Sequence, residues 1–290
     1  MKIIYLASLF LLSVTFVSCD GDGDDDDPTP VILDTVAPEV TMNEPTADDS
    51  VVVIDMLVIF AEITDNWRLD NVRVVLTEPG GASRVLSDVS VTSFQYELIE
   101  LHQIPKNAAT GDYTLTVEAK DKELNVTKES VTFVLHASDI NNAAFANAFH
   151  NALFYSKFTE GLNEFGYSPW DYGYSYDELW LSTVVHFMVS TDEEFSISEA
   201  EWNRFIADFN VQNQSWAKWD ENSDASLDDI EFRKGLSSLN FFDDWDKDQD
   251  SIFSPDEMAD GIFSRWDLNN DDMLSRQEYQ EKFYTYLYRE

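Results

Sequence analysis

Three stretches near the C-terminal end of the chain repeat oxygen-bearing side chains at a fixed spacing. Trp219-Asp220 is followed by Asn222, Asp224 and Glu231; Trp245-Asp246 by Asp248, Asp250 and Glu257; Trp266-Asp267 by Asn269, Asp271 and Glu278. With the Asp after each Trp as position 1, oxygens recur at positions 1, 3 and 5, an apolar residue at 8 and a glutamate at 12. The apolar residues are Leu227, Phe253 and Leu274. Carboxylate and amide oxygens gathered within a dozen residues suit a hard divalent cation, which takes six to eight oxygen ligands at about 2.3–2.6 Å. One such match is suggestive; three in register form an internal repeat with a chemical purpose.

The pattern resembles the EF-hand calcium loop. The resemblance implies that side chains at positions 1, 3 and 5 wrap the ion, namely Asp220, Asn222 and Asp224; Asp246, Asp248 and Asp250; and Asp267, Asn269 and Asp271. It also implies a backbone carbonyl at position 7, from Ser226, Ile252 or Met273, and a water-mediated ligand at position 9, from Asp228, Ser254 or Ser275. Glu231, Glu257 and Glu278 would close the shell from one turn into the exiting helix. Leu227, Phe253 and Leu274 fit the short strand that pairs two such loops. The Trp before each loop, with Trp216, Phe242 and Phe263 three residues earlier, gives each entering helix a buried face. One departure runs through all three: position 6, where the turn calls for glycine, holds Ala225, Ser251 and Asp272. A non-glycine residue at positive φ costs on the order of 1 kcal/mol, which predicts weakened binding.

The loop starts lie 26 and 21 residues apart, so the exiting helix of one loop must largely serve as the entering helix of the next. Upstream, Ser190, Asp192, Glu194, Ile197, Ser198 and Glu201 occupy positions 1, 3, 5, 8, 9 and 12 of a degenerate fourth loop with Phe195 at position 6. Its expected role is that of a structural partner. Tyr174, Ser175 and Glu178 form a fainter echo. Ser175 and Glu178 also make a capping box ahead of the apolar run Leu179 to Met188. Helical periodicity in Phe145, Phe149, Ala152, Leu153 and Phe158 extends this class back to the region's start, so residues 137–290 are expected to be an all-α EF-hand array.

From 34 to 136 the pattern is different. Short alternating runs (Val51 to Ile63, Val72 to Leu76, Phe94 to Leu98, Tyr113 to Ala119, Val131 to Leu135) are separated by turn residues such as Pro79-Gly80-Gly81 and Gly111-Asp112. About seven such strands predict an antiparallel sandwich. Ala37-Pro38, Thr64-Asp65-Asn66, Asp112-Tyr113-Thr114 and Ala119-Lys120-Asp121 with Asn125 resemble a bacterial immunoglobulin-like domain. Asp65, Asp121 and Asn125 are expected to close turns through side-chain hydrogen bonds rather than hold a metal. The fold class is thus multidomain: an all-β immunoglobulin-like sandwich followed by an all-α EF-hand array.

The first 18 residues read as a signal peptide, with Lys2 before an apolar stretch from Ile3 to Val17. Phe16-Val17-Ser18-Cys19 resembles a bacterial lipobox, which implies lipidation of Cys19, the only cysteine. Residues 19–33 begin with a run of Asp and Gly that can bury nothing, a solvated tether. An acidic run after a lipidated cysteine also resembles the export signal of Bacteroidota surface lipoproteins, implying an outer-membrane, surface-exposed location with the lipid as its only membrane contact.

Charge sets the remaining limits. The formal net charge of -38, from 56 Asp+Glu against 18 Lys+Arg, repels nucleic acid and attracts cations. Neither a nucleophile elbow nor a Gly-rich phosphate loop is present, and His102, His136, His150 and His186 do not form a zinc-type pair, so no enzyme is expected. Six Met in the whole chain is too few for the Met-rich groove of a calmodulin-type sensor. The expected function is calcium-ion binding by a cell-surface lipoprotein, with the ions stabilising the C-terminal helices. The alternative is a calcium-dependent adhesin, or a module that binds a glycan or protein partner.

Overall fold

The computed structural model describes residues 33–152, 178–191 and 195–288. It shows a β-sandwich region followed by a helical region. The sandwich strands are β1 (Glu39–Glu44), β2 (Ser50–Val52), β3 (Met56–Thr64), β4 (Leu69–Thr77), β5 (Ser83–Ser90), β6 (Gln95–Gln103), β7 (Gly111–Asp121) and β8 (Val126–His136). One sheet has the order β1-β3-β6 and the other β2-β8-β7-β4-β5, an immunoglobulin-like arrangement in which the first two strands join different sheets.

Period-two alternation drives this packing. Leu57, Ile59, Ala61 and Ile63 of β3 face Leu115, Val117 and Ala119 of β7 and Val72, Val74 and Leu76 of β4 across a closed apolar interior. Three features depart from the sequence expectation. The run Val51 to Ile63 is two strands, broken at Val53–Asp55, where the Asp55 N–H bonds Val52 O at 2.9 Å. The pairing of β2 with β8 is parallel, Ser50 opposite Val134, while the other pairings in the sandwich are antiparallel. And β1 and β5, absent from the expected runs, both lie at sheet edges, and in β5 both faces meet solvent so that no alternation is needed.

The helical region contains α1 (Asn142–Asn151), α2 (Glu178–Val189), α3 (Glu199–Asp208), α4 (Trp216–Trp219), α5 (Asp229–Ser237), α6 (Pro255–Trp266) and α7 (Arg276–Tyr286). Four two-residue strands accompany them, β9 (Ile140–Asn141) just ahead of α1, and β10 (Ile197–Ser198), β11 (Ser226–Leu227) and β12 (Met273–Leu274) between helices. The core is aromatic. Phe209 meets Trp266 at 6.0 Å and Tyr286 at 5.3 Å between ring centroids, Phe145 meets Trp266 at 5.4 Å, and Phe205 meets Phe232 at 5.3 Å. The α2 helix covers the predicted run Leu179 to Met188; Ser175, Tyr174, Leu153 and Phe158 lie outside the described residues.

A shared exiting and entering helix is found between the second and third loops, where α6 runs from Pro255 to Trp266. Between the first and second it is not: α5 stops at Ser237, and turns through Asn240, at φ 49°, carry the chain to Trp245. The longer interval of 26 residues is taken up there. Arg265 closes this segment, donating to Phe241 O at 2.8 Å and Asp244 Oδ1 at 3.0 Å. Among the described residues no helix is long and apolar enough to cross a membrane.

Candidate metal centres

The first loop runs from Asp220, at the C-cap of α4, to Glu231 in the first turn of α5. Asp220, Asp224 and Glu231 each bring a carboxylate oxygen within 4.8 Å of the others. Asp220 and Glu231 are buried there, at 8% and 5% exposure, which is costly for carboxylates unless donors or a cation offset it. Some donors are built in: Asp224 N and Ala225 N bond the two oxygens of Asp220, each at 3.2 Å, and Asn222 N bonds Glu231 Oε1 at 3.1 Å. Each carboxylate oxygen keeps a second lone pair for a cation.

The other two loops repeat this wiring. Position 6 donates its N–H to the first aspartate in each: Ser251 to Asp246 Oδ2 and Asp272 to Asp267 Oδ2, both at 3.0 Å. Position 7 donates to position 5, from Ser226 to Asp224 at 2.9 Å, Ile252 to Asp250 at 2.7 Å and Met273 to Asp271 at 3.0 Å. These bonds hold the carboxylates of positions 1 and 5 against the backbone of their own loop. The backbone reaches this shape only with positive φ at position 6: 71° at Ala225, 66° at Ser251 and 61° at Asp272. Position 4 does the same, at Ser223, Gln249 and Asn270.

The twelfth residue has two attachments in each loop. Oε2 of Glu231, Glu257 and Glu278 accepts from the N–H of Asp228, Ser254 and Ser275, forming the capping boxes that start α5, α6 and α7. Oε1 reaches the far end of the loop, at Asn222 N, Lys247 N or Leu268 N. Position 9 is the N-cap in each: Asp228 and Ser254 accept from the N–H of Glu231 and Glu257 through their side chains, whereas the Ser275 hydroxyl donates to Glu278 Oε2 at 2.8 Å.

The loops are not equivalent. In the second, Asp246, Asp248 and Asp250 converge within 4.8 Å, more exposed than the trio of the first. A backbone bond from Asp250 favours the charged form of Asp248, but burial and the charges of Asp250, Glu257 and Asp246 outweigh it and raise the pKa of Asp248. Burial acts to raise Glu257 and Glu278, yet N–H donors from Ser254 and Lys247, and from Ser275 and Leu268, hold both below the usual carboxylate range. In the third loop Asp267 and Glu278 are buried like their counterparts in the first, and Asn269 Nδ2 bonds Asp271 Oδ2 at 3.0 Å. Among the described residues its carboxylates do not form a trio within 4.8 Å. The oxygen-only donor set fits a hard divalent cation in all three.

Strand pairing separates them further. Leu227 pairs with Ile197 of the degenerate fourth loop, and Leu274 pairs with Ile140, whereas Phe253 lies in no strand and packs on the Phe242 ring at 6.1 Å. The degenerate loop keeps the shared framework: Phe195 has φ 51°, Ser198 and Glu201 form a capping box, and Thr191 N bonds Glu201 Oε1 at 2.7 Å. Its Asp192 and Glu194 lie outside the described residues, as do Cys19 and the segment 1–18.

Two glycines outside the twelve-residue pattern support the loops. A Cβ on Gly235 would lie 2.2 Å from the Trp219 ring, and one on Gly261 would lie 2.1 Å from the Trp245 ring. The leading Trp of the first and second loops thus rests on the backbone of its exiting helix. The recurrence of Gly sixteen residues after Trp in two of the repeats was the available signal. In the third repeat that place holds Lys282, whose buried ammonium lies 5.7 Å from the Trp266 ring centroid.

In the sandwich, Asp65 accepts from Trp67 N at 2.9 Å. Asp121 accepts from Glu123 N and Asn125 N, both at 2.8 Å, and from Asn125 Nδ2 at 2.7 Å. These residues close turns, as their types predict, and the carboxylates of Asp65 and Asp121 also lie within 4.8 Å of each other.

No protein-family model matches this chain, and no curated protein does. Among solved structures it is similar to fibronectin(III)-like modules of Clostridium thermocellum CbhA. The identity is 20%, over 34% of this chain and 47% of that one, with a TM-score of 0.25. A tetra-tandem repeat from the extending region of a large adhesion protein is 18% identical over 36% of this chain and 26% of that one, at TM-score 0.26. A beta-1,2-glucanase from Parabacteroides distasonis is 10% identical over 80% of this chain and 35% of that one, at TM-score 0.23. The chain spans less than half the length of each of these three. Likeness at this level carries no functional argument.

Proposed function

We propose that this chain is a calcium-binding surface lipoprotein, with three EF-hand loops whose ions stabilise the helical region and a lipid on Cys19 that holds it at the outer membrane. The observation that carries the calcium reading is the backbone at position 6. Ala225, Ser251 and Asp272 all hold positive φ, without glycine, and each points its N–H at the first aspartate of its loop. A chain with no use for that shape has no reason to accept the strain three times. The anchor rests on the lipobox-like sequence around Cys19.

Missing glycine places the dissociation constants in the extracellular range of about 10⁻⁴ M. At about 1 mM free calcium each such site adds roughly 1.4 kcal/mol, hence about 4 kcal/mol for three independent sites. The ions relieve the repulsion among loop carboxylates, so folding and binding are linked. Magnesium substitutes poorly, because it requires a tight octahedron and sheds water reluctantly.

Titration calorimetry with thermal melts in calcium, magnesium and chelator tests this. Three calcium ions are expected, with Glu231→Gln, Glu257→Gln and Glu278→Gln each removing about one. A protein that binds no calcium at millimolar concentration, or melts alike in calcium and chelator, would overturn the reading.

A further inference from the structure

Among the described residues the strand of the third loop pairs with no other acidic loop. Its strand β12 pairs antiparallel with β9, Met273 opposite Asn141 and Leu274 opposite Ile140. Three residues separate the end of the last sandwich strand, β8, from the start of β9. It then leads into α1, capped by Asn141, whose side chain accepts from Ala144 N at 3.0 Å. This is the second half of a loop–helix unit, strand and exiting helix, without the ligand-bearing first half. It packs as a partner would: Phe145 contacts Phe263 at 6.0 Å and Trp266 at 5.4 Å, and Asn142 Nδ2 bonds Asp260 Oδ1 at 2.8 Å.

The helix that exits the third loop, α7, reaches the same end of the sandwich. Tyr284 Oη is buried 2.6 Å from Val53 O and 2.8 Å from Ile104 O, its one proton shared between them. Tyr279 Oη donates to Ser138 O at 3.1 Å, and Gln280 Nε2 donates to Lys106 O at 3.1 Å. Lys106 also pairs with Glu281. Glu278, the twelfth residue of the loop, lies in the first turn of this helix. Its carboxylate spans from Leu268 N to Ser275 N, so what that carboxylate binds fixes where α7 starts.

We propose that β9 and α1 serve as the surrogate partner of the third loop, and that cation binding at Asp267–Glu278 locks α7 onto the end of the sandwich. Asn141 and Tyr284 are then positioning residues for an ion that neither touches. The inference rests on the calcium reading and adds to it a division of labour. The third ion joins the two regions, whereas the first two act within the helices. Because coupling is reciprocal, loosening the Tyr284 contact must weaken the third ion by the same factor that the ion strengthens the contact.

Amide hydrogen exchange on the purified protein, read beside calorimetry, tests it. In chelator, and in Glu278→Gln with calcium, residues 53–57 and 103–108 should exchange about ten-fold faster than in the calcium-loaded protein. Glu231→Gln should leave them at the wild-type rate. Tyr284→Phe keeps the ring and removes the hydroxyl, so it should fold, bind three ions and hold one of them about five-fold more weakly. A Glu278→Gln protein that has lost one ion yet protects both segments as before would overturn the inference and leave the calcium reading standing. So would three unaltered affinities in Tyr284→Phe. A wild-type protein that binds no calcium removes both.

Discussion

Replacing Gly261 by alanine inserts one methyl where the structure has none to spare. The added carbon would lie 2.1 Å from Trp245 Cδ2, 2.5 Å from Cε2 and 2.6 Å from Cε3. Carbon atoms in contact stand about 3.5–4.0 Å apart, so ring and helix must separate by more than about 1 Å. The ring cannot yield cheaply: Trp245 is 1% exposed and wedged against Phe241 at 5.6 Å and Phe242 at 5.1 Å. Overpacking of this kind costs about 3 kcal/mol, at the upper end of the usual range. Alanine recovers about 1 kcal/mol of helix propensity, for a net loss of about 2 kcal/mol. In a unit of this size that lowers the melting temperature by roughly 4–8 °C. Trp245 adjoins Asp246, so displacement of the ring also weakens the second ion. Urea unfolding and calorimetry of Gly261→Ala check both effects. Gly80→Ala is the control, since nothing lies within 4 Å of a Cβ there and its stability should change by less than about 0.5 kcal/mol. A Gly261→Ala protein as stable as wild type, or more so, would refute the packing argument.

The same argument applies to Gly235→Ala against the Trp219 ring, with the first ion rather than the second weakened, as calorimetry would show. In chelator, the depressed pKa values of Glu257 and Glu278 contribute stability that is complete above the unfolded value of about 4.3 and is lost as pH falls through the lower folded values. The stability difference between wild type and Glu278→Gln should therefore shrink below about pH 4; melts at pH 3 and pH 6 with the same difference would contradict this. Asp248 has the opposite sign, because its raised pKa lets protons compete for the second loop first. Cys19→Ser should leave the protein unprocessed or released from membranes, and fatty-acid labelling equal to wild type would exclude the anchor.

What the sequence determined by itself is the chemistry of each loop. Oxygen-bearing positions, N-caps and the capping glutamate all lie within twelve residues, where bond lengths and backbone hydrogen bonds leave little choice. Asp220 through Glu231 could therefore be read off without knowing what surrounds them. The alternation that marks β3, β4 and β7 was legible for the same reason, since each strand's inward face is written every second residue. The edge strand β5 was not legible, because exposure on both faces removes the alternation.

Tertiary structure decided who pairs with whom. Nothing local tells Leu274 to pair with Ile140, or Leu227 with Ile197, while Phe253 finds aromatic packing instead of a strand. The Trp219–Gly235 and Trp245–Gly261 contacts require two helices to meet before a missing Cβ acquires meaning. The attachment of the helices to the sandwich depends on a tyrosine reaching a carbonyl 231 residues away in sequence. Such contacts follow from the mutual fit of faces already formed, and that fit is a property of the assembled core rather than of any segment within it.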